Sequence, residues 1–117
     1  MSETAQNKLV VAAFVKAVNG QDWEKLSALV HADFVRHSYA GGEPEVTGRD
    51  ALINFLRREF ETFPDARETV EDVVAEANKV AARHHFTGTQ HGPMGQHPPS
   101  GRVMSADYLA IYRLEQG

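Results

Sequence analysis

Residues 80–116, VAARHHFTGTQHGPMGQHPPSGRVMSADYLAIYRLEQ, constrain the fold of this chain more than any other stretch. Two long runs of strand-forming residues flank a loop dense in glycine, proline and histidine. Successive side chains of a strand point to opposite faces, and two such runs joined by a glycine-containing turn region read as an antiparallel hairpin. The first run, 79–90, places Val80, Ala82, His84 and Phe86 on one face and Ala81, Arg83, His85 and Thr87 on the other. The second, 102–115, separates Met104, Ala106, Tyr108, Ala110, Tyr112 and Leu114 from Val103, Ser105, Asp107, Leu109, Ile111 and Arg113. Residues 91–101 are the loop between them.

The preceding residues change period. Val10, Phe14, Ala17 and Val18 recur at helical spacing and predict a buried helix over 5–18, with Thr4 as N-cap and Asn19-Gly20 as C-cap. Asp22 caps a shorter helix over 23–30, with Trp23, Leu26, Leu29 and Val30 on its apolar face and Trp23 as an anchor between helices. Phe34 and Val35 make a short extended piece, and the turn-rich segment 38–48 reads as loop throughout. Leu52, Phe55, Leu56, Phe60 and Phe63 form the apolar stripe of a third helix over 50–63, which Pro64 ends. From Arg67 the period returns to two, through Val70, Val73 and Val74, and Ala77-Asn78 turns the chain into the hairpin. Helices followed by antiparallel strands give an α+β domain, with helices on one face of a curved sheet. Residues 1–117 read as a single domain.

Composition narrows the partners. With 12 Lys+Arg against 16 Asp+Glu the net charge is −4, and no basic patch of the kind a nucleic-acid groove needs is present. The chain has no cysteine, hence no disulfide or thiolate chemistry. The longest apolar run, Leu9 to Val15, is too short to span a bilayer, and MSETAQNK lacks the form of a secretory leader. These features fit a cytoplasmic protein with no nucleic-acid or membrane partner.

The order of several local features resembles a known family. A first helix running into VNGQDW is followed by HADFVRH, a glycine-led helix (GRDALINFL), the strand entry TFPDARETVEDVVAE, VAARHHFTGTQHGPMGQHPPSGR and a final Tyr-Arg-Leu strand. This is similar to the SnoaL-like polyketide cyclases of the nuclear-transport-factor-like superfamily. The resemblance implies a cone-shaped α+β domain: a curved antiparallel sheet against three N-terminal helices, enclosing an apolar pocket for a small hydrophobic molecule. It also implies enolisation followed by aldol closure or isomerisation, which requires no metal or cofactor. Relatives commonly carry a catalytic aspartate on a strand that follows the glycine aligned with Gly117. They often have Asp or His where Ala110 stands, and His where Gln90 stands. Two main readings follow, a cyclase-like or isomerase-like enzyme and a non-catalytic binding or dimerising module of the same fold; a third, an epoxide-opening hydrolase, would need an Asp-Arg-Asp arrangement that the sequence does not show. A sheet without that strand would leave backbone groups open, so homodimerisation through the sheet is expected.

Such chemistry needs a base for the proton alpha to a carbonyl and a donor for the enolate oxygen. His84, on the expected inward face with an ordinary pKa near neutrality, is the candidate base. Tyr108 is the candidate donor. Phe14, His37, Phe55, Phe86, His91 and Tyr112 are candidate pocket residues. His91 and His97 share a loop, but their spacing matches no metal-ligand pattern. Asp33 and Asp65 read as turn residues, and Glu68, Glu71, Asp72 and Glu76 as a solvated sheet face.

Overall fold

The computed structural model describes residues 2–38 and 45–115. Among the described residues there are three helices, α1 (Glu3–Asn19), α2 (Trp23–Leu29) and α3 (Arg49–Thr62), and five strands, two of them between α2 and α3 and three after α3. The strands are β1 (Val35–His37), β2 (Glu45–Thr47), β3 (Arg67–Glu76), β4 (Lys79–Thr89) and β5 (Val103–Arg113). All pairings among the described residues are antiparallel, in a β1–β2 ribbon and a β3–β4–β5 sheet. The architecture is the α+β cone with three helices that the sequence predicts.

Local chemistry explains the boundaries. The N-cap of α1 is Ser2 rather than Thr4: its hydroxyl accepts a hydrogen bond from Ala5 N at 3.1 Å, satisfying a free donor of the first turn. Asp22 does the same for α2 through Lys25 N. Gly48, at φ 97°, supplies the left-handed residue that leads into α3.

Part of the segment predicted as loop is a strand. Glu45–Thr47 pairs with Val35–His37, and Val46 is 3% exposed within the core. Three residues are enough for one inward side chain between two outward ones, and the glycines and proline just before them obscure that pattern. Residues 39–44 of the predicted loop lie outside the described residues.

The core joins the helices to the ribbon. Ala17, Val18, Leu26, Val30, Val46, Leu52, Phe55 and Leu56 form one buried cluster, with Trp23 and Phe60 packed edge-to-face beside it. Burying a side chain such as Leu26 contributes about 1.5–3 kcal/mol. Helix α1 lies across β3 and β4, so one end of the sheet's inner face is covered by a helix.

One irregularity sets which residues face inward on β3. Val70 pairs with His84, but Asp72 already pairs with Arg83, so Glu71 is an extra residue and β3 is bulged there. A bulge moves the alternation by one residue. Before it Glu68 and Val70 share the inner face with Phe86 and His84; after it Val73 and Ala75 do so, opposite Ala82 and Val80. Glu68 therefore does not belong to a solvated face with Asp72 and Glu76: its side chain is only 20% exposed.

Candidate functional site

The inner face of the sheet collects four ionisable side chains from three strands. His84 occupies the middle of β4, between Ala82 and Phe86, and its side chain is 1% exposed. Its strand partner Tyr108 stacks on the imidazole, with ring centroids 4.8 Å apart and planes 9° from parallel. Tyr112, two positions further along the same face of β5, brings its hydroxyl to 2.9 Å from His84 Nε2. From β3, Glu68 accepts a hydrogen bond from the Tyr108 hydroxyl on Oε1 at 2.6 Å. Its other oxygen, Oε2, lies 3.6 Å from His84 Nδ1. These two atoms are buried and have no hydrogen-bond partner.

The backbone of Glu68 is held from outside the sheet. Asn19, the last residue of α1, donates from Nδ2 to Glu68 O and accepts from Glu68 N on Oδ1, both at 2.8 Å. Of the predicted Asn19-Gly20 cap, Gly20 is the C-cap residue, and the Asn19 side chain bridges to β3 across the fold. One amide side chain thus satisfies the two backbone groups that β3 turns away from β4, and fixes Glu68 against α1.

Burial determines the charges. It raises the Glu68 carboxyl above its ordinary value, against the opposing effects of the Tyr108 hydrogen bond and the His85 charge. Burial lowers the His84 imidazole. The two pKa values therefore move towards each other. Glu59 on α3 is raised too, by burial first, with Arg36 opposing and Glu68 reinforcing. Both tyrosines are raised by burial; for Tyr108 the bond to Glu68 adds to it. The site disfavours charge on both the acid and the imidazole.

The other sequence candidates are dispersed. Phe14 touches this group, its ring edge-to-face with Tyr112 at 5.8 Å. Phe86 lies on the same face of β4 and packs edge-to-face on Phe63. Phe55 is in the helix core, with the Arg36 guanidinium 4.5 Å over its ring. His37 is exposed and meets Glu45 across the ribbon at 3.0 Å. His91 is exposed where the loop after β4 seats on α3, its backbone N–H donating to Thr62 O. The structure thus groups His84, Tyr108, Tyr112 and Phe14, and leaves His37 and His91 apart from them. Glu68 was not among the sequence candidates. The signal for it, a bulge, is a pairing property that no single strand displays.

A cavity of about 190 Å³ opens beside this group. Val10 and Phe14 of α1, Val30, His31 and Phe34 of the α2–β1 connection, and Tyr112 line it. Tyr112 therefore presents its ring to the cavity and its hydroxyl to His84. Among the described residues no three His, Asp or Glu side chains gather as a metal site would require, and no helix is long and apolar enough to cross a membrane.

The profile of the SnoaL-like polyketide cyclases matches residues 8–117. Solved structures agree with it. A proposed SnoaL-like polyketide cyclase from Jannaschia sp. CCS1 is 27% identical with a TM-score of 0.85, over 100% of this chain and 83% of that one. IdmH, a proposed polyketide cyclase from Streptomyces antibioticus, is 29% identical with a TM-score of 0.82, over 96% and 85%. AclR, a proposed hydroxylase from Streptomyces galilaeus, is 25% identical with a TM-score of 0.82, over 98% and 71%. A search of curated protein sequences finds no match.

Proposed function

This chain belongs to the SnoaL-like polyketide cyclase family, and from that premise we propose that it binds a small apolar carbonyl compound and promotes its enolisation, as a cyclase-like or isomerase-like enzyme. The observation that carries the reading is the linked group Tyr108–Glu68–His84–Tyr112, in which His84 is buried and Tyr108 is 41% exposed. A purely structural core has no need of two carboxyl- and imidazole-bearing side chains with facing, unsatisfied atoms.

In this reading His84 is the proton acceptor of the site and Tyr108 donates to the enolate oxygen. A low-dielectric surround strengthens both interactions. The 190 Å³ cavity suits a compound of one or two rings; an apolar cavity of about 150 Å³ already holds benzene, and pockets for larger ligands run from about 300 Å³. A direct test is titration with 1-tetralone, a two-ring enolisable ketone, followed through the His84 and Tyr112 ring resonances. Saturable shifts that weaken in Phe14→Ala are expected; a flat titration would remove the cavity from the reading.

Ala110 favours a second reading. It sits beside Ala82 on the inner face, where a polar side chain would otherwise extend the site. A binding module without turnover would show the same saturable shifts and no acceleration of α-proton exchange.

The outer face of the sheet supports self-association. Leu109 and Ile111 are 68% and 69% exposed, and Val74 lies in the same cross-strand row as Ile111. Exposed apolar area of this kind is characteristic of contact surfaces. A homodimer through this face would be split by Ile111→Glu, as read by sedimentation; a monomeric wild type would refute it.

A further inference from the structure

The buried ring of His84 poses a difficulty for the enolisation reading. Its Nε2 meets Tyr112 and its Nδ1 faces Glu68, so both nitrogens point at protein. A base needs to approach the proton it removes to within hydrogen-bond reach. Glu68 Oε1 instead meets the hydroxyl of Tyr108, a residue that is 41% exposed, at 2.6 Å, and the Glu68 side chain keeps 20% of its own surface open.

We infer that Glu68 is the catalytic acid/base of this site, sharing one proton with His84 behind it and positioned by Asn19. The inference rests on the enolisation reading and names the residue that would perform the step. Three independent observations support it. The β3 bulge at Glu71 turns Glu68 inward, where regular alternation through the strand would put it on the face of Asp72 and Glu76. The Asn19 side chain bonds both backbone groups of Glu68. Glu68 Oε2 and His84 Nδ1 are buried, unpartnered and 3.6 Å apart. A shift of about half an ångström at the carboxylate would close that distance to a hydrogen bond.

The step balances without a further reactant. The Glu68 carboxylate takes the α-proton, and the C–H electron pair becomes the enolate double bond. The carbonyl oxygen gains the negative charge. Once protonated, Glu68 no longer requires the Tyr108 proton, and that hydroxyl turns to the enolate oxygen. The proton on Glu68 returns to carbon, or, once the carboxyl group has turned so that the protonated oxygen faces the imidazole, passes to an unprotonated His84 Nδ1 while the enolate reacts. Glu68 is faced by His84 from β4, by Tyr108 and Tyr112 from β5 and by Glu59 from α3, with the Arg36 charge opposing Glu59 and His85 acting through the sheet. His84 is thus the one basic side chain in direct reach of Oε2 that the inner face supplies among the described residues.

The test is deuterium exchange at the α-carbon of 1-tetralone in D2O, followed by proton NMR, together with the pH titration of the His84 ring. Wild type is expected to accelerate exchange over buffer. Glu68→Gln should lose at least about tenfold of that acceleration with 1-tetralone binding kept, and Glu68→Asp should recover part of it. Asn19→Ala should shift the acidic limb of the pH–rate profile, which a merely structural role would leave in place. Glu68→Gln should also lower the midpoint of His84, because the carboxylate that stabilises the imidazolium is gone. Full exchange activity in folded Glu68→Gln overturns the inference and leaves the enolisation reading standing. A wild type without exchange, but with a His84 midpoint that moves in Glu68→Gln, overturns the enolisation reading and keeps the shared proton. An unmoved midpoint overturns the shared proton whatever the exchange rate.

Discussion

On β4, His84 points into the molecule and His85 points out of it. His85 meets Asp107 at 2.7 Å on the solvent side, with both side chains substantially exposed. Water and salt screen such a pair, and it contributes little. His84 stacks on one tyrosine, bonds another, and faces a carboxyl oxygen that has no other partner. The same residue type, one position apart, meets an exposed carboxylate in one case and is a buried ring that disfavours charge in the other. Strand alternation supplies the first half of that difference. The second half comes from β3, where the bulge brings Glu68 under His84 rather than under His85.

The largest expected effect tests the bulge. Deleting Glu71 restores regular alternation through β3, and either Glu68 leaves the inner face or the strand slips against β4. Both outcomes break the two Asn19 bonds, and a loss of about 4 kcal/mol is expected from the midpoint of urea unfolding. Next is the histidine pair itself. His84→Ala leaves a cavity and strands the Tyr112 hydroxyl, for a loss of about 3 kcal/mol, whereas His85→Ala should stay within about 0.5 kcal/mol. Equal losses at the two positions would contradict the inner–outer distinction. Asn19→Ala should cost about 2 kcal/mol, since two backbone groups lose their partner at once.

The smallest effect is in pH. Burial lowers the native pKa of His84 below its ordinary 6.5. Its contribution to stability is therefore present above pH 6.5 and lost as pH falls through the window down to the lowered native value. Glu68 has the opposite sign: raised by burial, it contributes below its ordinary 4.5 and that contribution is lost as pH rises through its native value. Thermal unfolding between pH 8 and 5 should show the His84 slope in wild type. His84→Gln should flatten it.

Much of this molecule is legible in its sequence because most of its elements carry a clean period. The stripe from Leu52 to Phe63 gives α3 to within a residue, and the alternation around His84 gives the inner face of β4. Asp22 caps α2 as its side-chain chemistry requires. What escapes has no local signature. Val46 is one inward residue beside a run of turn formers, too short for a period. Glu68 sits among acidic residues, and only pairing with β4 shows that Glu71 is supernumerary. The two Asn19 bonds cross 49 residues of sequence, a separation at which neighbouring residue types carry no information. Tertiary geometry, rather than propensity, therefore determines the candidate site.

The loop after β4 has a practical consequence. Its first turn is clamped to α3: His91 N and Gly92 N both donate to Thr62 O, and a side chain at Gly92 would put its first carbon 2.1 Å from Glu61 O. Its base is closed by Gln90, whose backbone exchanges bonds with Gly101 and Arg102 and whose side chain reaches Pro98 O and Ser100. Between these anchors Met94 and His97 pair at an exposed tip around Gly95, itself at φ 58°. The tip can be lengthened without moving the anchors, and doubling a loop costs only about 0.6 kcal/mol. Gly95 is thus a natural point for splicing in a peptide tag or a reporter, and Gly92 is one where even a single methyl group would be refused.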